Sequence, residues 1–185
     1  MAYVHPSRDS AQSPRRSHGA GGKPASRHSL ARLLSELQYA LDEHFFDYRH
    51  SGRAIALRRL RLGVELLCKL EDQILLPALH ASRDGGWPEV DKALEEVELL
   101  RDLSALLNRT LVEQQSTLVP AIEGVAQLHF AALDELLVDA DGDAVPWARL
   151  EGEMREQLAA WRAEVNEHGE LADDEDDDPV GAPPR

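Results

Sequence analysis

The segment LLCKLEDQILLPAL, residues 66–79, places a carboxylate among apolar residues that recur with the period of an α-helix. At 100° per residue, Glu71 lies within about 80° of the direction shared by Leu67, Leu70 and Ile74. An unpaired charge in an apolar interior costs several kcal/mol, so Glu71 must find a partner, take up a proton or bind a metal ion. The function therefore depends largely on what surrounds Glu71.

The composition indicates one folded domain without a membrane-spanning segment. The chain has 185 residues, of which 43% are hydrophobic, and this is enough for a real core. No apolar run approaches the ~20 residues needed to cross a bilayer, and the N-terminus lacks the apolar run of a signal peptide. We therefore expect a soluble, cytoplasmic protein that does not bind membranes. The net charge of -14 argues against a nucleic-acid-binding surface.

The two ends of the chain differ in composition from the middle. Residues 1–27 are rich in Ser, Pro, Gly and Arg, and predict a disordered basic arm. Residues 173–185 begin with a run of carboxylates and predict a disordered acidic tail. Solvated tails are the simpler interpretation, and docking of the basic arm on an acidic partner is the alternative.

Helical periodicity between the tails predicts an all-α protein. The predicted helices are 29–50 with Ser29 as N-cap, 53–81 with a kink at Pro77, 88–115, 118–138 after a break at Ser116-Thr117, and 146–171. Short connections favour antiparallel neighbours, so residues 28–139 are expected to form an antiparallel four-helix bundle. Residues 146–172 are expected to add a C-terminal amphipathic helix. In the third helix Leu111 is expected to be buried, and Glu96 to lie on the outer face.

The last predicted helix has a narrow apolar seam. Its members are spaced 4, 3, 4 and 3 residues apart: Met154, Leu158, Trp161, Val165 and His168. Such a seam is suited to packing on another helix. It is therefore a candidate surface for a protein partner or for self-association.

The segment Leu67 to Leu79 resembles the second-helix motif of hemerythrin-like (HHE cation-binding) proteins. That motif has a His, three residues, a Glu, often a second acidic residue, and then Leu-Phe-Pro. Here it reads Leu67, three residues, Glu71-Asp72, and then Leu75-Leu76-Pro77, so the spacing matches and the histidine is missing. The resemblance implies an antiparallel four-helix bundle around a non-haem di-iron centre that binds oxygen or responds to small oxidants.

The same resemblance assigns two further ligand positions and a last His-x-x-x-Glu pair. In the first and third helices the family histidines fall on Leu30 and Val97, and the last pair falls on His129 and Leu133. A di-iron centre needs several imidazoles and bridging carboxylates. Because Leu30, Leu67, Val97 and Leu133 cannot coordinate a metal, the resemblance implies a site that core packing has largely replaced.

Glu71 and His129 remain as the candidate metal-binding residues. Each lies near the centre of its helix's apolar stripe, so the two predict either a buried carboxylate–imidazolium hydrogen bond or two ligands of a weakened mononuclear site. His44 is a possible third ligand. If the last helix were the fourth of the bundle, Glu164 and His168 would replace His129. The expected cofactor is none, or weakly bound iron.

Three functions fit these observations. The first is a non-catalytic binding or regulatory protein with a degenerate metal site. The second is a non-haem iron protein that binds or senses oxygen, nitric oxide or oxidants through a remodelled site. The third is a helical adaptor or oligomerisation protein that uses the Met154 seam. The spacing supports no Ser-His-Asp or Cys-His catalytic arrangement, so we expect no enzymatic activity.

Overall fold

The computed structural model describes residues 27–83, 87–107, 109–140 and 145–167, and the regular structure within these residues is entirely helical. Five helices follow one another: α1 (Arg27–Ser51), α2 (Ala54–Leu70, continued by a π-helical turn at Glu71–Leu75 and by Leu76–Ala81), α3 (Pro88–Leu107), α4 (Val112–Asp139) and α5 (Trp147–Glu167). The predicted all-α class is confirmed. Of the predicted basic arm only Arg27 is described, where it begins α1, and the predicted acidic tail lies outside the described residues.

Both ends of α1 have a local explanation. Ser29 lies inside the first turn of α1 rather than at its N-cap, and its hydroxyl donates to Glu151 Oε1 of α5 at 2.8 Å. The N-cap prediction was therefore wrong, because this hydroxyl links two helices. After Ser51, Gly52 adopts a φ of 60°, a conformation that favours glycine, and its N–H donates to Tyr48 O at 2.8 Å.

A π-helical turn in α2 lies immediately before Pro77. The Leu76 N–H donates to Glu71 O, five residues back, and a regular α segment then begins at Leu76. A proline inside an α-helix clashes with the carbonyl four residues earlier, whereas the first turn of a helix tolerates it. The π turn gives Pro77 such a first-turn position. The π turn at Glu71–Leu75 thus accommodates the break in α-helical hydrogen bonding that Pro77 was predicted to cause.

The boundary between α3 and α4 differs from the predicted one. Helix α3 ends at Leu107 and α4 begins at Val112, so the break precedes the predicted Ser116-Thr117 by several residues. Leu111 is the N-cap of α4, with extended backbone angles, and is 68% exposed rather than buried. Pro120 lies inside α4, where it removes one intrahelical hydrogen bond without ending the helix.

The helices pack around one apolar core. Helix α2 contacts both α1 and α3, and α4 also contacts both α1 and α3. Helix α5 lies against α1 and α2, including the π turn. Of the predicted partner seam, Met154, Leu158 and Val165 are buried, and Trp161 packs against the core. These seam residues therefore pack within the chain, and a partner at the seam remains a prediction. His168, its last member, lies outside the described residues.

Exposed apolar side chains lie on α3 and α4, as well as on α1, where Tyr39 and Phe46 are exposed. Leu99 and Leu106 on α3 and Leu128 on α4 are each about half exposed or more. Helix α5 packs on α1 and α2, away from this pair of helices. Within the described ranges, no helix has the length and apolar character needed to cross a membrane.

Candidate functional site: a buried carboxylate–imidazole–carboxylate network

Three helices bring Glu71, Glu96 and His129 into one hydrogen-bonded network. Glu71 opens the π turn of α2, Glu96 lies on α3 and His129 lies near the middle of α4. His129 Nε2 is 2.6 Å from Glu71 Oε2, and His129 Nδ1 is 3.0 Å from Glu96 Oε2. The side chains of Glu71 and His129 are fully buried. The structure therefore joins the two residues that the sequence identified, and adds a third.

Both ring nitrogens of His129 lie within hydrogen-bonding distance of a carboxylate oxygen. An imidazolium, which donates from both nitrogens, is the form of the ring that two ionised carboxylates favour. Burial by itself lowers the pKa of His129, but the hydrogen bonds and negative charges of Glu71 and Glu96 outweigh it and raise the pKa above its ordinary value. The charged form of the ring is thus stabilised inside the core.

Charges of alternating sign run from the surface into the core. The Lys92 ammonium is exposed and lies 3.6 Å from Glu96 Oε1, Glu96 is partly buried, and the imidazolium and Glu71 lie beyond it. Each ionised group therefore has an oppositely charged neighbour. This arrangement offsets much of the cost of taking Glu71 out of water.

One oxygen of the network is left without a partner. Glu71 Oε1 is buried and accepts no hydrogen bond from any residue that the structure describes. An unsatisfied buried acceptor costs about 1–3 kcal/mol, and more when the group is charged. Among the described residues, His129 is the one hydrogen-bond partner of this carboxylate, through Oε2. The stability of the buried Glu71 side chain therefore depends on His129.

Cys68 lies one helical turn before Glu71 and is also buried. Its thiol donates weakly to Val97 O, at a distance of 3.7 Å. Burial, and then the negative charge of Glu71, raise the pKa of Cys68 to about 12. The thiol is therefore protonated at neutral pH and is neither a nucleophile nor a thiolate ligand.

The donor set around Glu71 does not fit a di-iron centre. The positions that the resemblance assigns to further ligands, Leu30, Leu67, Val97 and Leu133, are all buried members of the one hydrophobic core. No group of three or more His, Cys, Asp or Glu side chains within the described part of the chain is arranged to hold a metal ion. A metal at Glu71 and His129 would also have to displace the proton that the two share. Their role as metal ligands remains a prediction.

Two other predicted ligands lie apart from the network. His44 packs against Gly63, where its Cδ2 would be 3.1 Å from an added Cβ. Gly63 precedes Glu71 by eight residues of α-helix, or about 12 Å along the axis. Burial lowers the pKa of His44, so this ring favours the neutral form. Glu164 lies on α5, and His168, its proposed companion, lies outside the described residues.

Sequence reasoning assigned Glu96 to the outer face of α3, and this was wrong. Its side chain is only 20% exposed because it bends toward His129. At 100° per residue, Glu96 lies about 70° from the centre of the apolar stripe that includes Val97 and Leu100. Flanking positions of this kind can reach inward, so the edge of the stripe was the available signal.

The comparisons with known proteins leave the family open. No protein-family model matches this chain, no curated protein is significantly similar to it, and no solved structure matches it.

Proposed function

We propose that this protein is a hemerythrin-like helical bundle whose metal site has been replaced by apolar packing and a buried ionic network. It acts as a non-catalytic binding or regulatory protein. The observation that carries the proposal is the position of His129 between two carboxylates, each within hydrogen-bonding distance of one ring nitrogen. An imidazolium has no lone pair to offer a metal, so the histidine retained from the motif serves as a structural cation.

The packing of the first four helices supports the bundle. Helix α1 contacts α2 and α4, and α3 contacts the same two helices, so each of the four has two neighbours. A four-helix bundle has this pattern of contacts. Its core would then contain the four positions that the resemblance assigns to lost ligands.

The burial of those positions supports the loss of the site. Leu30 and Leu133 are fully buried, and Leu67 and Val97 are almost so. Cores pack at nearly crystalline density, so side chains of this size fill the space where a metal cluster and its ligands would need to fit.

Metal restoration tests the proposed frame. The double variant Leu67→His/Leu133→Glu would complete both His-x-x-x-Glu pairs of the motif. Cobalt(II) is the probe, and the readouts are its visible absorption and the shift of the melting temperature on titration. We expect the wild type to show neither signal, and the double variant to gain both.

The control places the same two residue types in the wrong frame. Leu70 and Leu136 are buried to a similar degree, so Leu70→His/Leu136→Glu should destabilise the fold by a similar amount. Stabilisation of both variants by cobalt would reject the frame. Near-stoichiometric iron in untagged wild-type protein, with a visible charge-transfer band after anaerobic reconstitution, would reject the degenerate site itself.

A further inference from the structure

One face of α4 is apolar and exposed along most of the helix. Its members are spaced alternately four and three residues apart, and every one is exposed: Thr117, Ala121, Gly124, Leu128, Ala131, Glu135 and Val138. We call this set the α4 face. Leu128 is 73% exposed and Val138 is 62% exposed, so the face projects two large apolar side chains into solvent. A 4, 3 spacing is the pattern by which helices pack along a seam.

We propose that this protein forms a two-fold symmetric dimer in which the α4 faces of two copies pack against each other in antiparallel orientation. The proposal does not depend on the proposed function. It differs from the predicted use of the Met154 seam, which α1 and α2 already cover. With α5 shielding α1 and α2, a second copy would shield α3 and α4.

The first support is a match between a projecting residue and a gap. If the two-fold axis passes midway between Gly124 and Leu128, Leu128 of each copy lies opposite Gly124 of the other. A Cβ added to Gly124 would meet no atom of the described residues within 4 Å, so the space above this glycine is open to them. Each Leu128 side chain would therefore pack against the backbone at Gly124 of the other copy. The two-fold symmetry produces this contact twice.

The same register produces a second match. Val138 of one copy then lies opposite Gln114 of the other. Gln114 is in a groove of about 490 Å³, formed where α3 and α4 meet and lined by Leu106, Thr110, Gln114, Thr117, Leu118 and Ala121. Leu106 is 48% exposed in this groove. In the register that pairs Leu128 with Gly124, Val138 therefore also packs into an apolar groove of the other copy.

The charges of α4 favour the antiparallel orientation. The helix contains no Lys or Arg, and its C-terminal turns carry Asp134, Glu135 and Asp139. A parallel dimer would place these carboxylates against their own copies, which is repulsive. In the antiparallel dimer Glu135 lies opposite Thr117 of the other copy, so it no longer faces its own copy.

The size of the face sets the strength of the dimer. From Thr117 to Val138 it is roughly 30 Å long, and with the neighbouring leucines of α3 it is about 15 Å wide. Two such faces would bury roughly 900 Å², which is less than the roughly 1,200–2,000 Å² of a stable specific interface. The dimer should therefore be transient and in exchange with the monomer.

Sedimentation velocity of the full chain, over a concentration series from low micromolar to several hundred micromolar, tests the proposal. The decisive pair of variants is Gly124→Gln and Gly152→Gln. Both glycines are helical, and neither has an atom within 4 Å of an added Cβ, so both changes are compatible with the monomer fold. Gly124→Gln should weaken dimerisation at least about tenfold, whereas Gly152→Gln on α5 should leave it unchanged. A wild type that is monomeric throughout, or equal effects of the two variants, would overturn the proposal.

Cysteine cross-linking tests the orientation. In the proposed register Ala121 lies opposite Ala131 of the second copy. A mixture of chains carrying Ala121→Cys and chains carrying Ala131→Cys should form a mixed disulfide dimer under mild oxidation. Efficient cross-linking of Ala131→Cys to itself, with none in the mixture, would indicate a parallel pair and contradict the proposed register.

Discussion

Replacing Glu71 by glutamine tests whether the buried network is ionic. Glutamine keeps the shape of the side chain and an acceptor for His129, but removes the charge. A hydrogen bond to a charged group contributes about 1.5–3 kcal/mol, and removing one partner of a buried ion pair costs about 3–5 kcal/mol. Because Glu96 still faces the other ring nitrogen, at 3.0 Å, the loss should lie near the lower figures. We expect Glu71→Gln to lower the free energy of unfolding by about 2–3 kcal/mol at pH 7.

Urea unfolding followed by tryptophan fluorescence measures this loss, since the chain has three tryptophans. Glu96→Gln is the matched control, because it makes the same chemical change in a partly exposed side chain. Solvent screening should reduce its effect to about 0.5–1 kcal/mol. A loss below about 0.5 kcal/mol for Glu71→Gln, with an unchanged m-value, would refute the charge-assisted bond between Glu71 and His129.

Three further measurements follow from the structure. Because the pKa of His129 is raised in the folded protein, its stabilising effect is complete below its ordinary value of 6.5 and is lost as the pH rises through the higher folded-state pKa. The stability difference between wild type and His129→Gln should therefore narrow as the pH rises above 6.5, as chemical denaturation at each pH would measure. Gly63→Ala should destabilise the fold by about 1 kcal/mol, because its Cβ would lie 3.1 Å from His44 Cδ2. Gly152→Ala has open space around its Cβ and should stabilise the fold by about 0.5–1 kcal/mol. Thermal unfolding of the two variants gives the comparison. Cys68, buried and with a pKa of about 12, should resist Ellman's reagent in the folded protein and react fully in urea.

Periodicity was enough to identify the pair at the centre of the site. Glu71 and His129 each interrupt an apolar stripe, and a buried charge needs a partner, so a contact between them was a reasonable expectation from sequence alone. Glu96 could not be assigned in the same way, because it lies at the edge of its stripe. Whether such a residue points inward depends on how the neighbouring helix approaches, and this is a tertiary property.

The errors in helix boundaries have a similar origin. Ser116, Thr117 and Pro120 are local signals for a helix start, but α4 begins at Val112 and contains all three. Packing of Val119 and Ile122 in the core outweighs the one hydrogen bond that Pro120 removes. The Met154 seam was identified correctly as apolar, but a pattern in one helix does not say whether its partner belongs to the same chain.

The effect of removing one residue from the π turn depends on whether Pro77 is present. A π turn holds one residue more than an α turn, so deleting the exposed Gln73 would restore an ordinary α-helix and keep Leu76 and Leu79 facing the core. The same deletion would put Pro77 in a helix interior, at a cost of about 3 kcal/mol or more. Combined with Pro77→Ala, the deletion should be tolerated far better than alone. These two positions are therefore epistatic, and sequences that lose the extra residue should lose the proline with it.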